Sequence, residues 1–206
     1  MTRRAQLVAA VAFLCGGPGL GQTGGPPPDV VVYVSDLPTR ALSEFEFWND
    51  PTSPGGRMVG TANTGEELDP PPENDPHVTF TLSVQRGVPY RCWVHMKVAP
   101  PKGKSEGNVL WVQFSNALDG AHKTVLKPGT GSYLTAHGPA QPGWAWVGCN
   151  WGESAKASDS LIQFGTSGEV TVRVQAGMEG VGFDQFLLSP GRFLEQPPAE
   201  AIVKKK

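Results

Sequence analysis

The chain has 206 residues, 26 of them glycine and 20 proline, and its formal net charge is −2. So much glycine and proline excludes a helical bundle, because they cost a helix interior about 1 and 3 kcal/mol each. Glycine without a three-residue period excludes collagen, and 39% hydrophobic content with six Trp excludes wholesale disorder.

Met1–Gly21 reads as a secretory leader. Arg3 and Arg4 precede an apolar run, Ala5–Leu14, that is too short to span a bilayer, and Gly19–Gly21 supplies small residues for cleavage. Cys15 follows Leu14 rather than a small residue, which argues against a lipoprotein signal. No other segment approaches the ~20 apolar residues of a transmembrane helix. The expectation is an exported chain, secreted or periplasmic, that does not span a membrane. Its only basic run is Lys204–Lys206, so no basic stripe for nucleic acid is present.

Gln22–Pro28 is a Gly/Pro linker. One domain is expected over residues 29–194 and a flexible tail over 195–206. Within the domain, Val30–Val34 is a β-branched run, and Phe45 and Phe47 alternate with Glu44 and Glu46. A polar, proline-rich stretch follows. Val78, Phe80, Leu82 and Val84 then alternate with polar residues, as in a half-buried strand. In Tyr90–Val98, Tyr90, Cys92, Val94 and Met96 share one face and Arg91, Trp93, His95 and Lys97 the other. Val109–Ser115, Ser160–Phe164, Glu169–Ala176 and Val181–Leu188 complete eight to ten predicted strands, with a long irregular stretch from Asn116 to Gly143. This pattern reads as an all-β sandwich. Cys92 and Cys149 either form one disulfide or stay reduced, Cys92 packing as a small hydrophobe on the strand's apolar face.

Catalytic signals are weak. Gly103–Gly107 matches G-x-S-x-G but lies in a polar loop between strands, without the following helix that a nucleophile elbow needs. His77, His95, His122 and His137 fall on separate elements and at no metal-ligand spacing. Carboxylates abound, yet no spacing pairs two of them as a glycosidase needs. The aromatic segment Gly143–Gly152 says more, with Trp144, Trp146 and Trp151 within eight residues. Indole faces stack on apolar ligand surfaces such as the C–H faces of sugar rings, while amides and acids satisfy hydroxyls. Trp151 beside Asn150 is the leading ligand candidate, with Tyr133 and Trp93 as further ones. Trp144 and Trp146 would share a face in an extended segment, as ligand platform or as packing.

The order Tyr90–Val94, Val109–Ser115, Gly143–Trp146, Gly168–Gln175 and Glu179–Pro190, ending in Phe183-Asp184-Gln185-Phe186-Leu187-Leu188-Ser189-Pro190, resembles the galactose-binding-like modules akin to carbohydrate-binding families 6 and 35. The resemblance implies a jelly-roll β-sandwich of two antiparallel sheets and non-catalytic binding of a polysaccharide or glycan. It also implies a structural Ca²⁺ involving Asp184 and an early acid, Asp36 or one of Glu44 and Glu46. The asparagine that often follows the last strand in sugar-binding members is replaced here by Ser189-Pro190-Gly191. Two other functions stay open beside glycan binding: a structural or interaction domain of the cell envelope, and a polysaccharide hydrolase. A separately encoded secreted enzyme or an envelope protein is the expected partner.

Overall fold

The computed structural model describes residues 25–62, 66–73, 76–98, 108–139, 142–152 and 157–203. The expected leader, Gly103–Gly107 and Lys204–Lys206 lie outside the described residues. Along the chain the strands are β1 (Val30–Tyr33), β2 (Leu42–Ser43), β3 (Glu46–Asn49), β4 (Arg57–Gly60), β5 (His77–Val84), β6 (Arg91–Val98) and β7 (Val109–Phe114). There follow β8 (Ala117–Leu118), β9 (Thr124–Val125), β10 (Leu134–His137), β11 (Gly143–Gly148), β12 (Gln163–Phe164), β13 (Gly168–Ala176) and β14 (Val181–Ser189). The described residues contain only three short 3₁₀ turns besides, at Val34–Asp36, Thr39–Ala41 and Ala157–Ser160.

Two antiparallel sheets face each other. The first has the order β11-β6-β14-β4-β3, and β1 pairs with β14 beyond the end of β4. The second has the order β10-β7-β13-β5-β2, and β12-β8-β9 form a small third sheet. The all-β, two-sheet expectation therefore holds. The period-2 pattern explains it: Val78, Phe80, Leu82 and Val84 point inward from β5, and Cys92, Val94, Met96 and Val98 from β6. A run of aromatic contacts joins the sheets. Phe80 meets Phe186 edge-to-face at 5.2 Å, Phe186 meets Phe114 at 6.2 Å, and Phe114 meets Phe164 at 5.8 Å. Each such pair adds about 0.5–1.5 kcal/mol beyond area burial.

The outer face of the second sheet is closed over by loops. Gln113 on β7 donates through Nε2 to the carbonyls of Lys127, Thr130 and Ser132 at 3.2, 2.7 and 3.0 Å. Gln175 on β13 donates to the Asp69 carbonyl at 2.9 Å. Arg173 lies between these two glutamines and donates to both. Much of the irregular stretch after Asn116 is thus a cover for this sheet. Tyr133 belongs to that cover and packs on Trp111 with ring centroids 5.8 Å apart.

The chain's end also departs from expectation. Residues 195–203, expected as a loose tail, lie against the outer face of the first sheet. Gln185 donates to the Ile202 carbonyl at 2.6 Å and accepts from its N–H at 2.9 Å. That two-point clamp offsets the entropy of ordering the segment.

Candidate functional site

Antiparallel partners share a face, so the register of the first sheet builds its outer surface directly. Trp144 stands opposite Lys97, Trp146 opposite His95, and Gly148 opposite Trp93. On the other flank of β6, Gly182 stands opposite Lys97 and Gln185 opposite His95. The register slips between Phe183 and Gln185, a bulge that leaves Asp184 as an extra residue. Its Oδ1 lies 2.6 Å from His95 Nδ1, both side chains being buried. Its Oδ2 is buried without a hydrogen-bond partner.

Trp144 is fixed from two sides. The His95 ring stacks on it at 4.8 Å with the planes 5° apart. Its Nε1 donates to Thr52 Oγ1 at 2.8 Å. Thr52 in turn donates its hydroxyl and its N–H to Asp50 Oδ1 at 2.5 and 2.9 Å. Lys97 Nζ closes the circuit, 2.5 Å from Asp50 Oδ2 and 5.4 Å from the centre of the Trp144 ring. Burial pushes the Asp50 carboxyl up, but the hydrogen bonds from Lys97 and Thr52 outweigh it and hold the carboxyl below its ordinary value.

Beside this circuit is an open cavity of about 500 Å³, lined by Trp48, Asn49, Asp50, Met58, Lys97 and Gly143 among others. Glycines shape its surroundings: a side chain at Gly60 would run into the Trp48 ring, and one at Gly182 into Met58. The cavity combines an indole wall, a paired cation and anion, and an amide, within the size range of small-ligand sites.

The other half of the face is covered. Trp93 is 6% exposed and donates to the Phe193 carbonyl at 2.7 Å. Trp146 donates to the Glu200 carbonyl at 2.9 Å. A wider cavity of about 730 Å³ lies between this covering segment and β1, lined by Val31, Tyr33, Phe193, Pro198, Glu200 and Ile202 among others. It contains no indole ring, and the paired charges of Lys97 and Asp50 are not on its walls.

The structure gathers some of the residues singled out from the sequence and scatters the rest. Trp144 and Trp146 do share a face, on an edge strand rather than a loop. Trp93 shares that face but is sealed under the C-terminal segment. Trp151 packs against the core, and Asn150 Oδ1 accepts from Arg91 Nη2 at 2.6 Å, so neither joins Trp144. Tyr133 lies in the loop cover of the opposite sheet, against Trp111. Sequence reading missed Trp48, Asn49, Asp50 and Lys97. The only signal was the aromatic and amide cluster Phe47-Trp48-Asn49-Asp50 just ahead of a turn.

No family model matches the sequence, and no curated protein matches it. Solved structures do match. A β-1,4-mannanase of Podospora anserina carrying a family 35 module matches at TM-score 0.50 and 13% identity, over 82% of this chain and 29% of that one. The likeness is one of fold, an antiparallel β-sandwich. An isomalto-dextranase of Arthrobacter globiformis complexed with panose matches at TM-score 0.47 and 16% identity, over 78% of this chain and 23% of that one. A family 35 carbohydrate-binding module of Clostridium thermocellum matches at TM-score 0.40 and 11% identity, over 78% of this chain and 98% of that module. The chain thus spans less than a third of the two enzymes and nearly the whole of the module.

The Ca²⁺ expectation rests on the resemblance alone. Asp184 has given one oxygen to His95, and Asp36 is exposed at the end of a 3₁₀ turn. Among the described residues no three His, Cys, Asp or Glu side chains come together. Among the described residues, no helix is long and apolar enough to cross a membrane.

Proposed function

We propose that this chain is a secreted, non-catalytic carbohydrate-binding module that holds a glycan in the cavity between Trp48 and the Lys97–Asp50 pair. The observation that carries the reading is the juxtaposition there of an indole wall with charged and amide groups. Trp48 is half-buried, leaving part of its ring for the C–H face of a sugar, while Asn49, Asp50 and Lys97 are the hydroxyl partners. Trp144, held by His95 and Thr52, extends the same surface. The fold supports the reading at the level of architecture. A module of this kind tethers a partner to polysaccharide, and a separately encoded secreted enzyme or an envelope protein fits that role.

Affinity electrophoresis against plant and microbial polysaccharides, with and without Trp48→Ala, tests it. Retardation by at least one polysaccharide, lost in the variant, is expected. No retardation across the panel, or retardation unchanged in Trp48→Ala, overturns it.

A structural or interaction domain is the second reading. What favours it is that the indole nitrogens of Trp93, Trp144 and Trp146 all donate within the protein, two of them to the chain's own C-terminal segment.

A further inference from the structure

The pairing of β6 with β11 runs one residue past Gly148 and sets Cys149 opposite Cys92. Cys149 N–H donates to the Cys92 carbonyl at 3.0 Å. The two Sγ atoms are 2.9 Å apart, and both residues are 0% exposed. A hydrogen-bonded antiparallel pair holds its Cα atoms about 5.5 Å apart, the separation that disulfides favour. The two sulfurs already face each other and stand less than ~1 Å beyond the roughly 2.05 Å length of an S–S bond.

We propose that Cys92 and Cys149 form a disulfide that staples β11, the edge strand carrying Trp144 and Trp146, to β6. β11 has a neighbour on one side only, and its register with β6 positions both indoles. The bridge joins residues 57 apart and closes a ring that contains β7 to β11. It thus removes much of the freedom of that segment in the unfolded chain.

The oxidant is a small-molecule disulfide such as oxidised glutathione. One cysteine thiolate attacks a glutathione sulfur and expels a glutathione thiolate. The second cysteine thiolate then attacks the mixed disulfide and expels the other. The protein gives up two electrons and two protons, which leave in two reduced glutathiones. Burial, with the Cys149 thiol alongside, holds the Cys92 thiol well above its ordinary range. Thiolate is the attacking species, so exchange is fast before the core closes and slow afterwards. The bridge is independent of what the face binds.

The test takes the full chain, reduced and denatured, and refolds it in a glutathione redox buffer. Acid quench, alkylation of free thiols and peptide mapping follow. The expected product joins the Cys92 and Cys149 peptides, about 2 Da lighter than their sum, and reductant lowers its Tm by roughly 5–15 °C. The Tm of the Cys92→Ala, Cys149→Ala double variant should not respond to reductant. Folded, reduced protein held in the same buffer should give the same link more slowly, so a failure to refold leaves the measurement intact. Alkylation of both residues, or linkage of either to glutathione, to Cys15 or to another chain, overturns the proposal.

Discussion

Lys97 Nζ sits 2.5 Å from Asp50 Oδ2, and through this contact two residues 47 apart in sequence set the position of a third, Trp144. The link is Thr52, which donates to Asp50 and accepts from the indole. Asp50 is 6% exposed, so its charge persists only because Lys97 and Thr52 stabilise it. The site's geometry therefore depends on the ionisation of one carboxylate.

That dependence gives a pH signature. The folded-state pKa of Asp50 lies below its ordinary value of about 3.9, so ionised Asp50 contributes its full stabilisation above about pH 5. The contribution shrinks as the pH falls below about 4 and is lost through the folded-state pKa. Lys97 is about a third exposed, and screening by water keeps the pair near ~1 kcal/mol. Melting curves of the protein and of Asp50→Asn between pH 2 and 7 should run parallel above pH 5 and converge below pH 4. A constant difference across the whole range would show that Asp50 does not titrate in this way.

The two halves of the outer face should respond differently to truncation. Trp48→Ala opens the exposed half and should cost at least tenfold in glycan affinity, with a small change in Tm. Trp93→Ala removes an indole sealed beneath the C-terminal segment. It should cost about 3 kcal/mol or more of stability, while the affinity of the protein that remains folded stays within about twofold. Calorimetric titration and thermal melts of both variants check the split.

Most of the architecture was legible because period-2 burial is a local property. The alternation in Val78–Val84 and in Tyr90–Val98 is enough to assign inward and outward faces, and both assignments match the sheets. The site was legible only in part. Trp144 and Trp146 stood out by composition, but Lys97 on β6 and the Trp48–Asp50 segment at the end of β3 are far apart in sequence, and their meeting depends on the non-local order β6-β14-β4-β3. Trp151 stood out in sequence as a ligand platform, while in the structure it is half-buried and packs against the core. The bulge at Asp184 has no sequence signature either, yet it places a carboxylate against His95.

The second sheet should be separable from the site. Gln113 is fully buried and its amide ties down three carbonyls of the loop ahead of β10. Gln113→Leu keeps the side chain's bulk but orphans those carbonyls and loses the contact with Arg173. A loss of about 1–3 kcal/mol is expected, read as a lower midpoint in urea, with glycan affinity on the opposite sheet unchanged. Altered affinity would mean that the two outer faces are coupled.

The C-terminal segment should behave as a docked element with its own opening reaction. Its attachment is concentrated at Gln185, which is 1% exposed and bonds both the N–H and the carbonyl of Ile202. In Gln185→Ala those two backbone groups turn to water, which the half-buried Ile202 can reach. The cost is therefore that of two exchanged hydrogen bonds, about 1–2 kcal/mol, rather than that of buried orphans. Because it falls on one segment, local opening should rise by about five- to thirtyfold while the sheets keep their protection. Hydrogen exchange should show faster exchange of the Ile202 amide, with the β6 and β14 amides unchanged. Trp146 should gain exposure as its bond to the Glu200 carbonyl is released, seen as a red shift in emission. If the Ile202 amide exchanges at its former rate, the clamp is not what holds the segment down. The contacts of Trp93 and Trp146 with Phe193 and Glu200 would then be the anchors.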